Sequence, residues 1–129
     1  MNNIKKIYLG VIVISVIMFF VALATDIFWL GRWTTGAFSS TMSVDPLLYN
    51  AFAVPDLALS LFLYIGSYGV LKLKKFGFVA SLIGLGMWLF DSLLVLGITK
   101  LERINIIGPS LFFCVFAIVY LWLNRDIFS

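Results

Sequence analysis

Four apolar runs, each long enough to cross a lipid bilayer, follow one another along this chain with only short polar turns between them. They cover about Ile7 to Leu30, Leu47 to Leu71, Phe76 to Ile98 and Ile106 to Leu123. Each approaches or exceeds the roughly 20 residues that a helix needs to span the hydrocarbon core. A backbone crossing lipid must satisfy its own hydrogen bonds, so runs of this length specify helices. Composition supports the same class: 63% of the 129 residues are hydrophobic and 12% charged, and the mean hydropathy is +1.12. A soluble domain of this size has too much surface for its volume to hide that apolar content. The sequence therefore predicts an all-α integral membrane protein, an antiparallel up-down bundle of four transmembrane helices forming one domain over residues 1–129.

The first run has a rival reading as a signal peptide, because Lys5 and Lys6 precede it and Ala22, Leu23 and Ala24 resemble a cleavage site. An uncleaved helix is preferred, because a signal core is usually ~7–15 residues and this one resumes in Ile27, Phe28, Trp29 and Leu30. A loop is expected over residues 31–46, closed by Asp45 as a helix cap and Pro46 at the first helical position. Pro55 is expected to kink the second helix near Asp56. A tight basic turn at Lys72, Lys74 and Lys75 makes helices two and three a hairpin. The fourth helix ends at Asn124, Arg125 and Asp126, with no tail of consequence.

Basic residues divide unevenly between the two sides. Lys5, Lys6, Lys72, Lys74, Lys75 and Arg125 fall on one, and Arg32, Lys100 and Arg103 on the other. The positive-inside rule then places a multi-pass protein in the cell membrane with both termini cytoplasmic. A net charge of +3, located at helix ends, gives no reason to expect nucleic acid as a partner. Cys114, the single cysteine, excludes a disulfide within the chain. With no histidine, imidazole metal sites and catalytic triads are excluded, and no phosphate-binding or dinucleotide fingerprint occurs. No cofactor, metal site or catalytic residue is assigned.

Residues at spacings of three and four mark one face of each helix. On the first these are Tyr8, Ile12, Ser15, Phe19, Ala22 and Asp26; on the second Ala53, Asp56, Ser60, Leu63, Ser67 and Val70. On the third they are Gly77, Ser81, Gly84, Trp88, Asp91 and Val95, and on the fourth Ser110, Cys114, Ala117 and Leu121. Small and weakly polar residues are what membrane helices use to pack, so these faces are expected to look inward.

Three aspartates stand out, because an ionisable group at the centre of a span costs at least ~2.5–3.5 kcal/mol and usually faces a cavity or a partner. Counted at ~1.5 Å per residue from the non-cytoplasmic helix ends, Asp26 lies about 6 Å deep, Asp91 about 10 Å and Asp56 about 14 Å. If the seams face one another, the three carboxyls converge with Ser60 and with Thr25 or Ser92, roofed by Trp29 and Trp88. With no lysine or arginine inside the spans, such a cluster would hold a proton or a cation. The candidate ligand- or cation-binding residues are thus Asp26, Asp56, Asp91, Ser60, Trp29 and Trp88. Each has a structural alternative: Asp26 could be interfacial and reach Arg32, and Asp91 could bond across a helix interface. Asp56, expected a turn or more inside its helix, is hardest to explain by packing.

Thr25, Asp26 and Trp33 in helix one, Pro55, Asp56, Leu57 and Ser60 in helix two, the basic turn, and Pro109, Ser110, Leu111 and Phe112 in helix four resemble the pattern of the YvaD-like family of small bacterial four-helix membrane proteins. That resemblance covers most of the chain and implies architecture, not an activity; Asp91 lies outside its pattern. The acids together with Asp45, Pro46, Leu47 and Leu48 are also similar to the sterol isomerase family, four-helix proteins whose acidic residues line a pocket for amine or sterol ligands. The expected function is an acidic pocket in the outer half of the bundle, binding a cation or small amphipathic ligand, or seams that join a homodimer or a partner's helices. The alternative is a carboxylate-based isomerase of a lipid-soluble substrate, or a proton-coupled transporter acting as a dimer.

Overall fold

A computed structural model describes residues 3–35 and 50–129. Four α-helices occupy them: α1 over Asn3–Thr35, α2 over Ala53–Leu71, α3 over Lys75–Ile98 and α4 over Ile104–Leu123. Each is long and apolar enough to cross a membrane, and consecutive helices pack side by side as an up-down bundle. The chain is a four-span integral membrane protein. Its outer surface is apolar, with Phe20, Ile27, Leu61, Phe90 and Phe112 all exposed, as contact with acyl chains requires.

The expected helix bounds shift at α1. Gly31 to Thr35, expected to begin a loop, continue the helix, because the Thr34 hydroxyl donates back to the carbonyls of Leu30 and Gly31 instead of competing with the helix. At 33 residues, α1 is about 50 Å long and exceeds a ~30 Å hydrocarbon core, so it must tilt or protrude. The proposed cap at Asp45 and Pro46 lies outside the described residues. The helix is interrupted at Phe52, with Asn50 and Ala51 helical before it and Ala53 after it, close to where Pro55 is expected to disturb it. Pro55 has no N–H to give the Ala51 carbonyl, whereas the Asp56 N–H still donates to the Phe52 carbonyl at 2.9 Å.

The α2·α3 hairpin is the tightest pairing, and glycines make it so. A methyl group on Gly77 would overlap the Gly69 backbone, and one on Gly66 would overlap Ser81. Farther along, a Cβ on Gly84 would come within 2.8 Å of Leu63 Cδ2 and 3.1 Å of its backbone N. Each step of three or four along α2 is thus matched by a reverse step along α3, which fixes the register of the pair. Ser81 Oγ, pressed into this crossing, makes no hydrogen bond among the described residues.

α1 joins α2 through a reciprocal pair. Ser15 Oγ donates to the Ser67 carbonyl at 2.7 Å, Ser67 Oγ donates to the Ser15 carbonyl at 2.9 Å, and the hydroxyls lie 3.0 Å apart. Ser15 and Ala22 are buried as expected, but Tyr8, Ile12 and Phe19 are exposed. The buried row of α1 is Val11, Ile14, Ser15, Met18, Ala22 and Trp29. Both rows pass through Ser15 and Ala22, and the helix is rotated to the other flank. On α4 the inward face is Cys114, Ala117 and Leu121, with Ser110 half-buried.

Both short turns are Schellman motifs. At the first, Leu73 sits at φ 53°, its N–H donating to Val70 while the Lys74 N–H donates to Gly69. At the second, Lys100 and Leu101 have φ 49° and 67°, their N–H groups donating to Gly97 and Leu96. These four 5→2 and 6→1 hydrogen bonds satisfy carbonyls that a helix end would otherwise leave bare.

The last residues are not a spare tail. Arg125–Ile127 form a 3-10 turn, Phe128 stacks on Phe78 at 5.3 Å between centroids, and Ser129 exchanges backbone hydrogen bonds with Leu73 and Lys75. Tyr120 closes the ring at the same end, its hydroxyl donating to the Ile7 carbonyl at 3.1 Å and filling the space over Gly10. The start of α1, the α2–α3 turn and residues 124–129 therefore share one end of the bundle.

Candidate functional site

The register set by the glycines carries through to the other end. There Asp56 on α2 stands opposite Asp91 on α3, two steps beyond the pair of Leu63 and Gly84 in the series that begins at Gly69 and Gly77. Both carboxyls line a cavity of about 270 Å³ whose other walls are Ala51, Phe52, Pro55, Leu59, Met87, Phe90 and Leu94. The lining follows from helical spacing: Phe52, Pro55, Asp56 and Leu59 form one stripe, and Met87, Phe90, Asp91 and Leu94 the facing one. Ala51, Pro55, Phe90 and Leu94 are also exposed, so the cavity opens through the side of the bundle toward lipid.

Asp56 is anchored as well as exposed to the cavity. Trp29 Nε1 donates to Asp56 Oδ2 at 2.7 Å, and the indole is fully buried, with 1% of its surface accessible. The Asp56 backbone follows the interruption at Phe52, its N–H donating to the Phe52 carbonyl at 2.9 Å. The indole hydrogen bond holds the carboxyl in place, and the helix start near Leu47 from which its depth is counted lies outside the described residues. Asp56 Oδ1 has no donor among the described residues. Asp91 is close enough for the Asp56 charge to act on it, and no cation among the lining residues separates the two.

The other candidates are placed elsewhere. Asp26 lies beside the Tyr64 phenol and does not line the cavity. Because α1 runs on to Thr35, Asp26 is nine residues from that helix end, about 14 Å by helical rise, against the expected 6 Å. Two carboxyls converge, not three. Ser60 is buried and its hydroxyl donates to the Leu57 carbonyl of its own helix at 3.0 Å. Trp29 is a buried donor rather than a roof. Trp88 turns to α4 and packs on Phe113 with centroids 5.6 Å apart. Arg32, one possible partner of Asp26, donates from Nε to Asn50 Oδ1 at 3.1 Å and lies over the Trp29 ring, 6.0 Å from its centroid.

The residues missed by sequence reasoning are the apolar walls, Met87, Phe90 and Leu94 among them. Their spacing with Asp91 was visible, but nothing in an apolar side chain separates a cavity wall from a lipid-facing surface. No group of three or more His, Cys, Asp or Glu side chains among the described residues is placed to hold a metal ion.

These features define a multi-pass helical membrane protein with a lateral cavity bearing two facing carboxyls. Comparison of the chain with protein-family models, curated proteins and solved structures finds no match, so the functional reading stands on geometry.

Proposed function

We propose that the protein binds a small amphipathic organic cation in the cavity between α2 and α3. The observation that carries this is the placement of Asp56 and Asp91 on opposite walls of one apolar cavity. Two carboxylates supply charge for an ammonium group, and the phenylalanine, methionine and leucine walls suit an apolar body. A hard metal ion asks for six or more oxygen ligands, so this lining favours an organic cation. The volume, about 270 Å³, is just below the ~300–1,000 Å³ of sites that hold drug-sized molecules, which points to a compact ligand. Phe90 lies at the mouth and continues the lipid-facing surface, which gives a lipid-soluble amine a route from the bilayer.

Binding of benzyltrimethylammonium and of its uncharged carbon analogue to the detergent-solubilised protein tests the reading. The cation should raise the unfolding temperature of wild type, with an effect equivalent to about 2.7 kcal/mol at a hundred times its Kd. Asp91→Asn should abolish that shift while leaving the starting stability near wild type. Equal shifts from the charged and uncharged compounds would sink the proposal.

We also propose that both termini face the cytoplasm, supported by the six basic residues at the end that carries residues 3–6, the α2–α3 turn and Arg125. Cysteines introduced at Lys74 and Glu102 should label from the cytoplasmic and external sides respectively, and the reverse pattern would invert the topology. Membership of the YvaD-like family is likewise proposed from the residue pattern around Asp56 and Pro109.

A further inference from the structure

A second depression lies on the outer surface of the same hairpin, at the opposite end from the two carboxyls. It is an open groove of about 520 Å³ lined by Phe62, Lys75, Phe76, Val79, Ala80 and Ile83. Its α3 wall rises from Lys75 through Val79 to Ile83, eight residues or about 12 Å of helix, and Phe62 of α2 lies along the other side. Lys75, Phe76, Val79 and Ile83 are exposed. In a four-span membrane protein this apolar strip lies against acyl chains, and one end of it carries an ammonium group. Lys72 and Lys74, also exposed, stand in the adjoining turn.

We propose that this groove is a binding site for one anionic phospholipid, with an acyl chain along Phe62, Val79 and Ile83 and the phosphate at Lys75. Charge complementarity selects the headgroup, because Lys75 stands at the end of the bundle that holds six of the nine basic residues. Apolar continuity selects the chain, because beyond Lys75 the groove offers no charged or hydrogen-bonding side chain. A basic residue at a hydrocarbon boundary attracts acidic headgroups by Coulomb forces that water screens only partly there. The site is separate from the carboxylate cavity, shares no residue with it, and does not depend on its function.

Native mass spectrometry of the protein in detergent micelles, with phosphatidylglycerol or phosphatidylcholine of identical acyl chains, measures this. One phosphatidylglycerol should be retained in preference to phosphatidylcholine, and Lys75→Gln should weaken its retention about fivefold. Lys6→Gln, at the same end but on α1, should change it little. Val79→Trp, which fills the groove without altering charge, should also weaken it; Ile83→Trp, one turn on, carries the same expectation should the first variant not fold. Equal retention of the two lipids would overturn the site. So would equal losses from Lys6→Gln and Lys75→Gln, which would show diffuse attraction to the basic end. Displacement of the lipid by glycerol phosphate would show a free-anion site, and undiminished retention in a folded groove-filling variant would remove the chain from the proposal.

Discussion

Replacing Gly77 and Gly86 separately by alanine should move stability in opposite directions, although both lie on α3. At Gly77 the new methyl would overlap the Gly69 backbone, and backbone cannot rotate away as a side chain can. The helices must separate or slide, and forced overpacking of this kind costs about 1–3 kcal/mol. Against it stands the gain of replacing glycine in a helix, up to ~1 kcal/mol; because the clash is with backbone, the cost falls at the upper end of its range and the net loss is about 2 kcal/mol. At Gly86 a Cβ would meet nothing within 4 Å, so the helix term acts alone and the variant should be up to ~1 kcal/mol more stable. Reversible unfolding in mixed micelles, followed by far-UV circular dichroism, gives both differences against wild type. The same crossing fixes the register that sets Asp56 against Asp91, so Gly77→Ala should also weaken cation binding, whereas Gly86→Ala should not. A Gly77→Ala protein as stable as Gly86→Ala would refute the reasoning, since it would show that the α2·α3 contact has slack.

Further substitutions probe three other contacts. Ser15→Ala and Ser67→Ala should each cost about 0.6 kcal/mol, at most ~1.7. The double variant should be nearly additive, because each hydroxyl donates to the other's carbonyl; a coupling energy above ~1.5 kcal/mol in the unfolding cycle would contradict that geometry. Lys100→Gly should raise the unfolding temperature by the equivalent of roughly 0.5–1 kcal/mol, because glycine relieves a left-handed backbone at an exposed turn, and a lower temperature would show that the side chain contributes more than its strain. Trp29→Phe should cost about 1.5–3 kcal/mol by removing a donor to a carboxyl. Asp56→Asn should cost less than ~1 kcal/mol in the same unfolding assay, since the amide oxygen still accepts from the indole; equal losses would show that charge, not the hydrogen bond, holds the pair.

Much of the bundle was legible because membrane helices pack through small residues, and these stand at regular spacing. The seams chosen on α2 and α3 coincide with Leu63, Ser67, Gly77, Ser81 and Gly84, all buried, and antiparallel pairing of those seams already sets Asp56 against Asp91. The error on α1 has a physical cause. Ser15 and Ala22 belong to two adjacent rows, and only the neighbours of those residues choose between them. Val11 and Met18 are as apolar as Ile12 and Phe19, and lipid solvates either row equally well, so hydropathy carries no information about the choice. Trp29 misled for a related reason: an indole near a helix end suits the headgroup region, and its burial shows only once Asp56 is known to offer an acceptor. The docking of Phe128 on Phe78 depends on a close approach of the last residues to the start of α3, which local sequence does not encode.

The bundle is built unevenly along its axis, and the unevenness explains where its cavity lies. At the end bearing the α2–α3 turn, glycine contacts bring backbones together, Tyr120 fills the space over Gly10, and Phe128 covers Phe78. Every buried residue of α4 lies at or after Cys114, so the half of that helix beginning at Ile104 reaches the core only through partly buried side chains such as Phe113. The far end is correspondingly loose: α2 begins at a break, α4 packs lightly, and the hairpin that is closed at Gly69 and Gly77 parts enough at Asp56 and Asp91 to leave a cavity. Antiparallel helices crossing at an angle must diverge away from their point of closest approach, and a crossing placed near the turn puts the widest gap at the other end. Two carboxyls in that gap are kept apart by the same divergence. The glycines that hold the hairpin together at one end thus determine how much room remains between charges at the other.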